Sequence, residues 1–573
     1  MPRIVKVAVA GSGLAGLTAA WLLTRPMKTE DVNFEVHLFE KADSLGMDAA
    51  SMSLTDSQSS DKWRIDVPMR TFQGGERARN LLLTWPPCID RRLLLGYYPQ
   101  LISMYKSIGV KIRQADFSYS FSLFTSSTPT SKRKITTTFI YNGSSGRAGF
   151  GRPSSLTTQP KGSVLSGFPF QLWSWTVFVL MTMETLLCFL MSAFYAAPFL
   201  RSADLEEKSF GQWAEEVTPK SLLARWIGLD IAWKSYVRDV MIPMWSGMCT
   251  ATVDDILNYP AVEFLDFIWL TIGTRHYVLA NGVRDVVTEL SKELKNIHVS
   301  APITSISLDP KTPHLASVTY VKPSGEQETL HDFDHVIFAT EAKTAASILT
   351  GWASKLPQSP ASQTKPFKHN MLQQAEALSK FRYRTAVVVN HTDDTLLPDD
   401  PRDHRELNLI YYHGHELGDS EKHPERDSSV CVSSSYAMVT HALPRPKGYP
   451  AHLSTVYQST NLYIPPKKGS ILSVARMERA VPTVEARKAL QGFCQEKDRR
   501  WWECPAVART KLGPLQGAGR LSGAKNPGIW ICGSYAFPGI PFLEGCVVSA
   551  KNVVVQGILE CEGVELKEEP WVA

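Results

Sequence analysis

The chain has 573 residues, with 61 Lys and Arg against 56 Asp and Glu, which gives a formal net charge of +5. At roughly 150 residues per domain, this length predicts about two to four domains. So mild a charge disfavours a dedicated nucleic-acid binder, which concentrates basic residues on one face. With 44% hydrophobic residues the sequence is not that of a disordered protein. The nine cysteines are scattered and form no CxxC pair, so we expect neither a metal site nor a disulfide framework, and an intracellular protein.

The first 16 residues have the pattern of a dinucleotide-binding turn. Ile4–Ala10 is a β-branched run that predicts a buried parallel strand, and a Gly-x-Gly-x-x-Gly motif follows it directly. In such a motif Gly11 permits the tight turn, Gly13 lets the backbone approach a pyrophosphate, and Gly16 lets the helix pack closely on the strand. The sequence therefore predicts a phosphate site at the start of the first helix.

The residues that follow complete the predicted dinucleotide site. Leu14 and Ala15 open the helix, whose N-terminal N–H groups and dipole favour phosphates. Phe34–Phe39 reads as a second strand and ends in Glu40, whose carboxylate can accept hydrogen bonds from a ribose. Lys41, the next residue, is a further candidate for cofactor binding.

The segment Lys41–Gly46 resembles the stretch after the second strand in the flavin-containing amine oxidase superfamily, which includes phytoene-desaturase-like enzymes. That resemblance implies FAD as the cofactor. In the superfamily a Gly-Gly-Arg or Gly-Gly-His element follows, whereas Met47 and Asp48 replace its second glycine and its basic residue. Because a carboxylate beside a pyrophosphate is repulsive, we expect Asp48 to point away.

The carboxy-terminal part carries a second element of this resemblance. Asn526–Tyr535 reads as a strand that ends at Gly533, and Phe537–Ala550 enters a helix. In the superfamily this element brings a strand-end Gly-Asp and a helix N-terminus to the flavin, where the helix dipole stabilises negative charge. Ser534 stands where that aspartate is common. The resemblance implies cofactor contacts from Gly533, Ser534 and Glu544.

The middle of the chain agrees with this picture. His298–Leu308 resembles the strand whose backbone holds adenine, with Ile303 at the contacting position, and Asp334–Thr340 resembles the strand that closes the FAD domain. Gly282–Val287 resembles the element that precedes the adenine strand.

The fold predicted from these segments is of the α/β class, with a Rossmann-like split FAD-binding domain and an interleaved α+β substrate domain. The FAD-binding domain is expected from residues 1–75, 280–350 and 515–560. Residues 97–279 and 351–514 are expected to form the substrate domain.

A closer likeness is to a less characterised branch of the superfamily, bacterial and fungal FAD proteins often found near lipid-modifying enzymes. It implies a hydrophobic, lipid-like small-molecule substrate. The segments that carry the likeness are Ile65–Arg70, Tyr97–Leu101, Ile242–Ser246, Tyr259–Ala261, His391–Asp393 with Leu397–Pro398, and Thr460–Leu462.

Residues 76–96 interrupt that likeness, because in the branch the Asp66 loop runs almost directly into the Tyr-Pro helix. The interruption mixes arginine pairs with leucine triplets and has no clean period. Codons for Gly75-Glu76 can contain GTGAG, and those for Leu95-Gly96 can contain TAG before a G. We interpret the segment as an insertion and a retained intron, with a genuine surface loop as the alternative.

The run from Phe168 to Leu200 is nearly all apolar and is long enough to cross a bilayer. It reads as a single span, as a buried helix of the substrate domain, or as a monotopic helix that dips into one leaflet. Glu184 in its middle is costly in a lipid-facing helix. A span would also separate the two halves of the FAD domain, so we expect a buried or monotopic helix and, at most, peripheral membrane contact. The protein is therefore expected in the cytoplasm or associated with a membrane.

The catalytic residues do not follow from the motifs. Tyr535 could flank the flavin ring, and Arg70 could approach the flavin or a substrate carboxylate. His391 and Asp393 suggest acid–base chemistry, but a turn stabilised by Asp393 is the favoured interpretation. Three functions stay open: an FAD-dependent oxidoreductase that removes hydride from an apolar or lipid-like substrate, a flavin-dependent double-bond isomerase of unsaturated fatty acids, and a non-catalytic FAD-binding protein.

Overall fold

The computed structural model describes residues 2–55, 62–74, 96–126, 133–159, 167–356, 365–414, 425–445, 449–450, 453–497, 501, 503–504 and 509–571. The strands, in chain order, are β1 (Arg3–Ala10), β2 (Val32–Phe39), β3 (Met52–Thr55), β4 (Lys62–Ile65), β5 (Phe72–Gly74), β6 (Ile112–Ala115), β7 (Tyr119–Thr125), β8 (Lys134–Tyr141), β9 (Phe150–Gly151), β10 (Arg275–Leu279), β11 (Asn296–His298), β12 (Ile303–Leu308), β13 (Ala316–Val321), β14 (Gln327–Phe333), β15 (His335–Phe338), β16 (Arg382–His391), β17 (Leu407–Tyr411), β18 (Met438–Ala442), β19 (Tyr457–Thr460), β20 (Ile471–Val481), β21 (Cys494–Lys497), β22 (Arg509–Leu512) and β23 (Gly528–Ile531).

The helices are α1 (Leu14–Leu23), α2 (Pro99–Ser107), α3 (Ser154–Thr157), α4 (Phe168–Ala196), α5 (Phe210–Val217), α6 (Leu222–Trp226), α7 (Leu229–Tyr236), α8 (Ile242–Cys249), α9 (Val253–Leu257), α10 (Ala261–Thr271), α11 (Val283–Ser291), α12 (Ala342–Lys355), α13 (Lys365–Ser379), α14 (Val484–Leu490), α15 (Leu543–Asn552) and α16 (Leu559–Glu562).

A five-stranded parallel sheet forms the Rossmann-like part, in the order β11-β2-β1-β15-β23. Val7 lies between Val36 of β2 and His335 of β15, and all three side chains are buried. Burial on both faces explains why the second half of β1, β15 and β23 are nearly continuous apolar runs. Its strands come from all three segments predicted for this domain, and the predicted α/β class with a Rossmann-like unit is confirmed.

The segment His298–Leu308 is not one strand, contrary to the expectation from its resemblance. Asn296–His298 forms the edge strand β11, the chain turns at Ser300, where φ is 49°, and Ile303–Leu308 begins an antiparallel meander, β12-β13-β14. Pro302 separates the two strands, and its missing N–H prevents the first ladder from continuing.

A second, larger sheet has eight strands in the order β20-β16-β19-β18-β17-β7-β8-β9. All its strands come from residues 119–151 and 382–481, inside the segments predicted for the substrate domain. One face packs an apolar cluster that includes Phe124, Val389 and Ile410. The opposite face, called the inner face below, meets α4 and α8 through Met181 and Met244.

Nearly all of the predicted insertion 76–96 lies outside the described residues, but its two flanks are described. Gly74 at the end of β5 and Gly96 form an isolated antiparallel bridge, and a Cβ added at Gly96 would lie 2.6 Å from Gly74 Cα. The chain therefore leaves and returns at the same place, as an insertion requires. Its origin as a retained intron stays a prediction.

The long apolar run forms a continuous helix, α4, whose surface is mostly exposed. Only 11% of its most apolar 18-residue window is buried, so the expectation of a buried substrate-domain helix is wrong. Within the described residues α4 is the helix that is long and apolar enough to cross a membrane by length and composition.

Candidate functional site

The turn after β1 is closed by glycines that no larger residue could replace. A Cβ at Gly16 would lie 1.9 Å from Gly11 O, and a Cβ at Gly46 would lie 1.8 Å from Ser12 O. Gly11 has a φ of +96° and donates its N–H to Phe39 O at 2.8 Å. These contacts hold the start of α1 against the end of β1 and against the loop after β2.

Gly13 differs from these three glycines, because a larger side chain at this position would meet no other part of the described chain. Its φ is −60°, which any residue adopts, and a Cβ built there meets no described atom within 4 Å. Gly13 is the exposed N-cap of α1, whose first turn holds no acidic residue. The backbone is thus open at the point where helix N–H groups favour an anion.

Glu40 joins the ends of the first two strands. Its Oε2 accepts hydrogen bonds from Ser12 N at 3.0 Å and Ser12 Oγ at 2.7 Å, and its Oε1 accepts from Ala42 N at 2.9 Å. The Ser12 hydroxyl in turn accepts from Gly46 N at 2.8 Å. This network fixes the carboxylate beside the turn, where the sequence predicts a ribose contact.

Lys41 and Ile303 lie near this network but do not take part in it. Lys41 is exposed, and Ile303 is half-buried at the start of β12, where it packs against the core under the meander. Ala301, rather than Ile303, bonds to the end of β2, since its N–H donates to Glu40 O at 2.8 Å. A contact of either residue with a cofactor stays a prediction.

Asp48 takes part in ion pairs with two arginines. Its Oδ1 accepts from Arg64 Nε at 3.1 Å and its Oδ2 from Arg284 Nε at 3.0 Å. Burial acts to raise the pKa of Asp48, but the hydrogen bonds from the two guanidinium groups outweigh it and hold that pKa below its ordinary value. Arg64 and Arg284 therefore neutralise the carboxylate that replaces the basic residue of the resembled motif.

The carboxy-terminal element meets the turn after β1. Ser549 Oγ accepts from Gly533 N at 2.9 Å and donates to Gly533 O at 3.0 Å, which fixes the strand end on α15. The helix approaches closely, because a Cβ at Gly545 would lie 2.7 Å from Ser534 O. Ser534 itself is half-buried beside this contact.

Cys546, on α15, marks the place where the two ends of the chain converge. Burial raises the pKa of its thiol to about 11, while Arg479 and the backbone N–H groups of Ser534 and Ala15 act in the opposite direction. The backbones of Ser534 and Ala15, which are more than 500 positions apart in sequence, therefore lie close to one side chain, and α15 packs directly against α1. The predicted phosphate turn and the predicted flavin element thus share one site.

Glu544 and Tyr535 are placed differently from the sequence expectation. Glu544 is buried, and its oxygens accept from Gln100 N and Leu101 N, each at 2.9 Å, so it caps α2 rather than facing the turn. Burial raises its pKa to about 8, against these two N–H donors. Tyr535 is also buried and donates its hydroxyl to Thr340 O at 3.1 Å, so its ring lies in the core.

Arg70 lies half-buried above this site, with its Nη1 buried and without a hydrogen-bond partner among the described residues. Burial lowers the pKa of Arg70, and the nearby Arg479 acts in the same direction, while Tyr105 and Asp66 oppose them. The single negative charge of Asp66 balances only one of these two guanidinium groups, and Asp48 is already paired with Arg64 and Arg284. The site therefore carries an excess of positive charge.

The loop that carries Arg70 is attached to the inner face of the eight-stranded sheet. Gln458 Oε1 accepts from Met69 N at 2.7 Å, and Gln458 Nε2 donates to Asp66 O and to Asn390 Oδ1, each at 3.0 Å. His441, opposite Gln458 in the ladder, has a buried Nδ1 without a described partner, and burial lowers its pKa to about 4. The inner face thus brings uncharged polar groups to the loop.

His391 and Asp393 form a turn on the other face of this sheet. His391 Nδ1 accepts from Asp393 N at 3.1 Å, so its Nε2 donates to Ser459 Oγ at 2.8 Å. Asp393 Oδ1 accepts from Thr395 N at 3.0 Å. The favoured interpretation of a turn stabilised by Asp393 agrees with these bonds.

Sequence reasoning missed the residues that hold the site together. Arg64, Gln458 and Arg479 belong to no motif, and Ser12 and Arg284 occupy variable positions within the quoted elements. Arg479 lies near the end of β20, beyond Met477, where the alternation of half-buried and exposed residues stops, so no pattern marked it. No group of three or more His, Cys, Asp and Glu among the described residues could hold a metal ion.

The residues present fit a dinucleotide. The observation that tests this is the open Cβ position at Gly13, because the neighbouring glycines are packed and this one is not. The turn, α1 and Ser534 would hold the pyrophosphate and ribityl chain, and Glu40 would hold the ribose.

Comparison with known proteins supports the same description. The family of NAD(P)-binding Rossmann-like domains matches residues 9–84, and no curated protein matches the chain. The turn after β1 is thus part of a Rossmann-like domain.

Several solved structures are similar over the length of the chain. Putrescine oxidase bound to putrescine has 11% identity and a TM-score of 0.46, with 98% of this chain and 100% of that chain covered. Cyclohexylamine oxidase from Brevibacterium oxydans has 11% identity and a TM-score of 0.44, with 98% and 99% covered. An oxidoreductase from Methanosarcina mazei has 11% identity and a TM-score of 0.43, with 95% and 99% covered.

Proposed function

We propose that this protein is an FAD-dependent oxidoreductase of the amine-oxidase type that removes hydride from an apolar, lipid-like substrate. The observation that carries the proposal is the convergence of the β1–α1 turn and the β23–α15 element on one site, where α15 packs against α1 and closely approaches Ser534. A site built only for a nucleotide would need the first of these elements alone, whereas a flavin needs a second element near its ring.

The cofactor contributes the chemistry, since bound FAD accepts a hydride equivalent from a C–H bond. The chain contributes binding and orientation. The open backbone at Gly13 receives the pyrophosphate, the fixed Glu40 carboxylate receives the ribose, and Ser534 offers its hydroxyl and N–H to the ribityl chain. Arg64 and Arg284 keep Asp48 from repelling the phosphates.

The substrate side of the site supports an apolar ligand. Phe121, Phe139, Leu409 and Val439 on the inner face pack with Met181 of α4 and Met244 of α8. The excess positive charge at Arg70 and Arg479 favours an acidic group on the bound ligands. We therefore propose an intracellular protein whose small-molecule substrate is largely apolar.

Reduction of the flavin tests this proposal. The purified protein is expected to show a flavin spectrum, and its absorbance should bleach anaerobically with an apolar amine or an unsaturated fatty acid. Oxygen consumption with that substrate supports an oxidoreductase. Substrate conversion without oxygen use or net oxidation favours the isomerase, and a flavin that no compound bleaches favours a non-catalytic protein. A colourless protein that cannot be loaded with FAD contradicts all three.

A further inference from the structure

The exposed surface of α4 has a regular apolar pattern. Its buried residues are spaced by four, with Phe170 and Ser174 near the start and Cys188, Ser192 and Ala196 near the end. The rest of the helix presents large apolar side chains to the outside: Phe168, Leu172, Trp173, Trp175, Val179, Leu180, Met183, Leu186, Leu187, Phe189, Leu190 and Phe194. The helix has 29 residues and is about 43 Å long at 1.5 Å per residue.

Both ends of α4 are fixed to the same folded body. At the start, Ser174 Oγ donates to Leu156 O at 2.5 Å. At the end, Arg201 donates from Nε to Ala196 O at 3.0 Å and pairs with the buried Asp266 of α10 at 2.5 Å. The helix therefore lies along the surface and does not project from it.

The topology of the Rossmann-like sheet agrees with this placement. β1 and β2 precede α4, and β11, β15 and β23 follow it, yet all five strands form one sheet. A helix that crossed a bilayer once would leave these strands on opposite sides. Glu184 is also exposed near the middle of α4, where a spanning helix would bury it in hydrocarbon.

A second apolar element extends the same surface. The helix α7 packs against α4, and α6 precedes it. Leu222 is 85% exposed and Trp226 is 84% exposed, with Leu223, Ile227 and Ile231 also exposed. Lys220 and Arg225 are exposed among these residues. This arrangement is that of a short amphipathic helix at a lipid surface, with apolar and basic side chains together.

The chemistry of this surface selects a bilayer as its partner. Contiguous exposed apolar surface of this size marks an interaction site, because soluble monomeric proteins rarely expose so large an apolar patch to water. The composition of α4 is that of a membrane segment. Trp173, Trp175 and Trp226 are the residue type that concentrates at membrane interfaces, and the guanidinium of Arg152 lies 4.3 Å from the ring centroid of Trp175.

We propose that α4 and α6 together form a monotopic membrane-docking surface, in which α4 lies in the plane of one leaflet and Lys220 and Arg225 meet anionic headgroups. Met181 of α4 also contacts the inner face of the eight-stranded sheet. The docked surface therefore adjoins the apolar cluster on that inner face. This inference is independent of the proposed function, because lipid binding does not require flavin.

Vesicle co-sedimentation of the full chain tests the docking surface. Wild type should sediment with phosphatidylcholine vesicles, and more strongly when phosphatidylserine is included. The double variant Leu222→Glu/Trp226→Glu should bind at least about tenfold more weakly, since charge replaces inserted apolar area. Both side chains are so exposed that folding should be unaffected. Met183→Glu, which alters α4 itself at a residue 63% exposed, should weaken binding in the same direction.

The control is Leu372→Glu, because Leu372 on α13 is 42% exposed and lies outside this surface. It should bind vesicles as wild type does, and so should a flavin-free protein. Equal binding by wild type and both surface variants would overturn the inference. So would a wild type that ignores vesicles and forms a dimer that the variants dissociate, since the surface would then join two copies.

Labelling distinguishes the in-plane helix from a span. Cysteines introduced as Gln159→Cys and Ser202→Cys flank α4 and replace exposed residues. An impermeant maleimide added outside protein-bearing vesicles should label both positions. Labelling of only one of them would mean that α4 crosses the bilayer, and would contradict the monotopic arrangement.

Discussion

At the scale of single residues, the site depends on side chains that no motif specifies. The pattern Gly-x-Gly-x-x-Gly and the acid after the second strand predicted Gly11, Gly13, Gly16 and Glu40. Ser12 occupies a variable position of that pattern, yet its hydroxyl links Glu40 to Gly46. Such a partner depends on the packing of two loops, which spacing along the sequence does not contain.

Replacing Ser12 tests this link. In Ser12→Ala, Gly46 N loses its acceptor and Glu40 loses its shortest donor, so we expect FAD binding about tenfold weaker, or about 1.4 kcal/mol. Fluorescence titration of the apoprotein with FAD measures this. Ser44→Ala, which removes an exposed hydroxyl bonded to Asp43, is the control and should bind normally. Unchanged binding by Ser12→Ala would show that the network is not needed.

The buried histidines predict a loss of stability in mild acid. Burial lowers the pKa of His391 to about 4, from an ordinary value of 6.5. Between these values the unfolded chain binds a proton that the folded protein does not, so His391 contributes stability above pH 6.5 that is lost as the pH falls toward 4. The full difference is up to about 3 kcal/mol.

The variant His391→Gln should reduce the slope of this dependence, because glutamine keeps a donor toward Ser459 and does not titrate, while His441 still contributes. Urea unfolding of wild type and variant at pH 7.5 and 5 measures the slope. His369→Gln, at an exposed position, should retain the wild-type slope. A variant slope equal to that of wild type would contradict the assignment.

At the scale of elements, strands and helices with a strong local pattern were predictable. Ile4–Ala10 was predicted and Arg3–Ala10 is observed, because a buried parallel strand is a continuous apolar run. The prediction of one strand over His298–Leu308 was wrong, because it followed the resemblance and did not take account of the break at Pro302. The prediction that α4 is buried in the protein was also wrong, since an apolar run does not reveal whether protein or lipid covers it.

Glu544 shows how one element holds another. In Glu544→Ala, the N–H groups of Gln100 and Leu101 lose their acceptors, so the start of α2 is left uncapped. We expect a loss of about 2–3 kcal/mol in the free energy of unfolding. Urea denaturation of the apoprotein measures it, with Glu560→Ala at an exposed position as the control. A change below about 0.5 kcal/mol would mean that the cap does not stabilise the fold.

At the scale of the whole molecule, the discontinuous order of segments was predictable because each carries its own motif. The contact between the chain ends at Cys546 was not, since it joins residues separated by most of the sequence. The suspected insertion also concerns the whole molecule. Gly74 and Gly96 are neighbours in space, so removing the residues between them should leave the rest of the fold in place.

Deleting residues 75–95 tests the insertion. The shortened chain should fold with the stability of the full chain and load FAD equally, because the bridge between Gly74 and Gly96 leaves the flanks already in place. Thermal unfolding and the flavin spectrum measure this, and transcript sequencing checks the intron. A shortened chain that is insoluble, or transcripts that uniformly retain the segment, would contradict the interpretation.

The central claim is a flavin site at the open backbone of Gly13, and FAD titration of Gly13→Val tests it most directly. The substitution fits the folded chain, since φ is −60° and no described atom lies within 4 Å of the new Cβ, but it fills the space for the pyrophosphate. Gly351→Ala, at another glycine with open surroundings, is the matched control. We predict that wild type and Gly351→Ala bind FAD, and that Gly13→Val unfolds like wild type without FAD but does not bind it. Normal FAD binding by Gly13→Val would contradict the account.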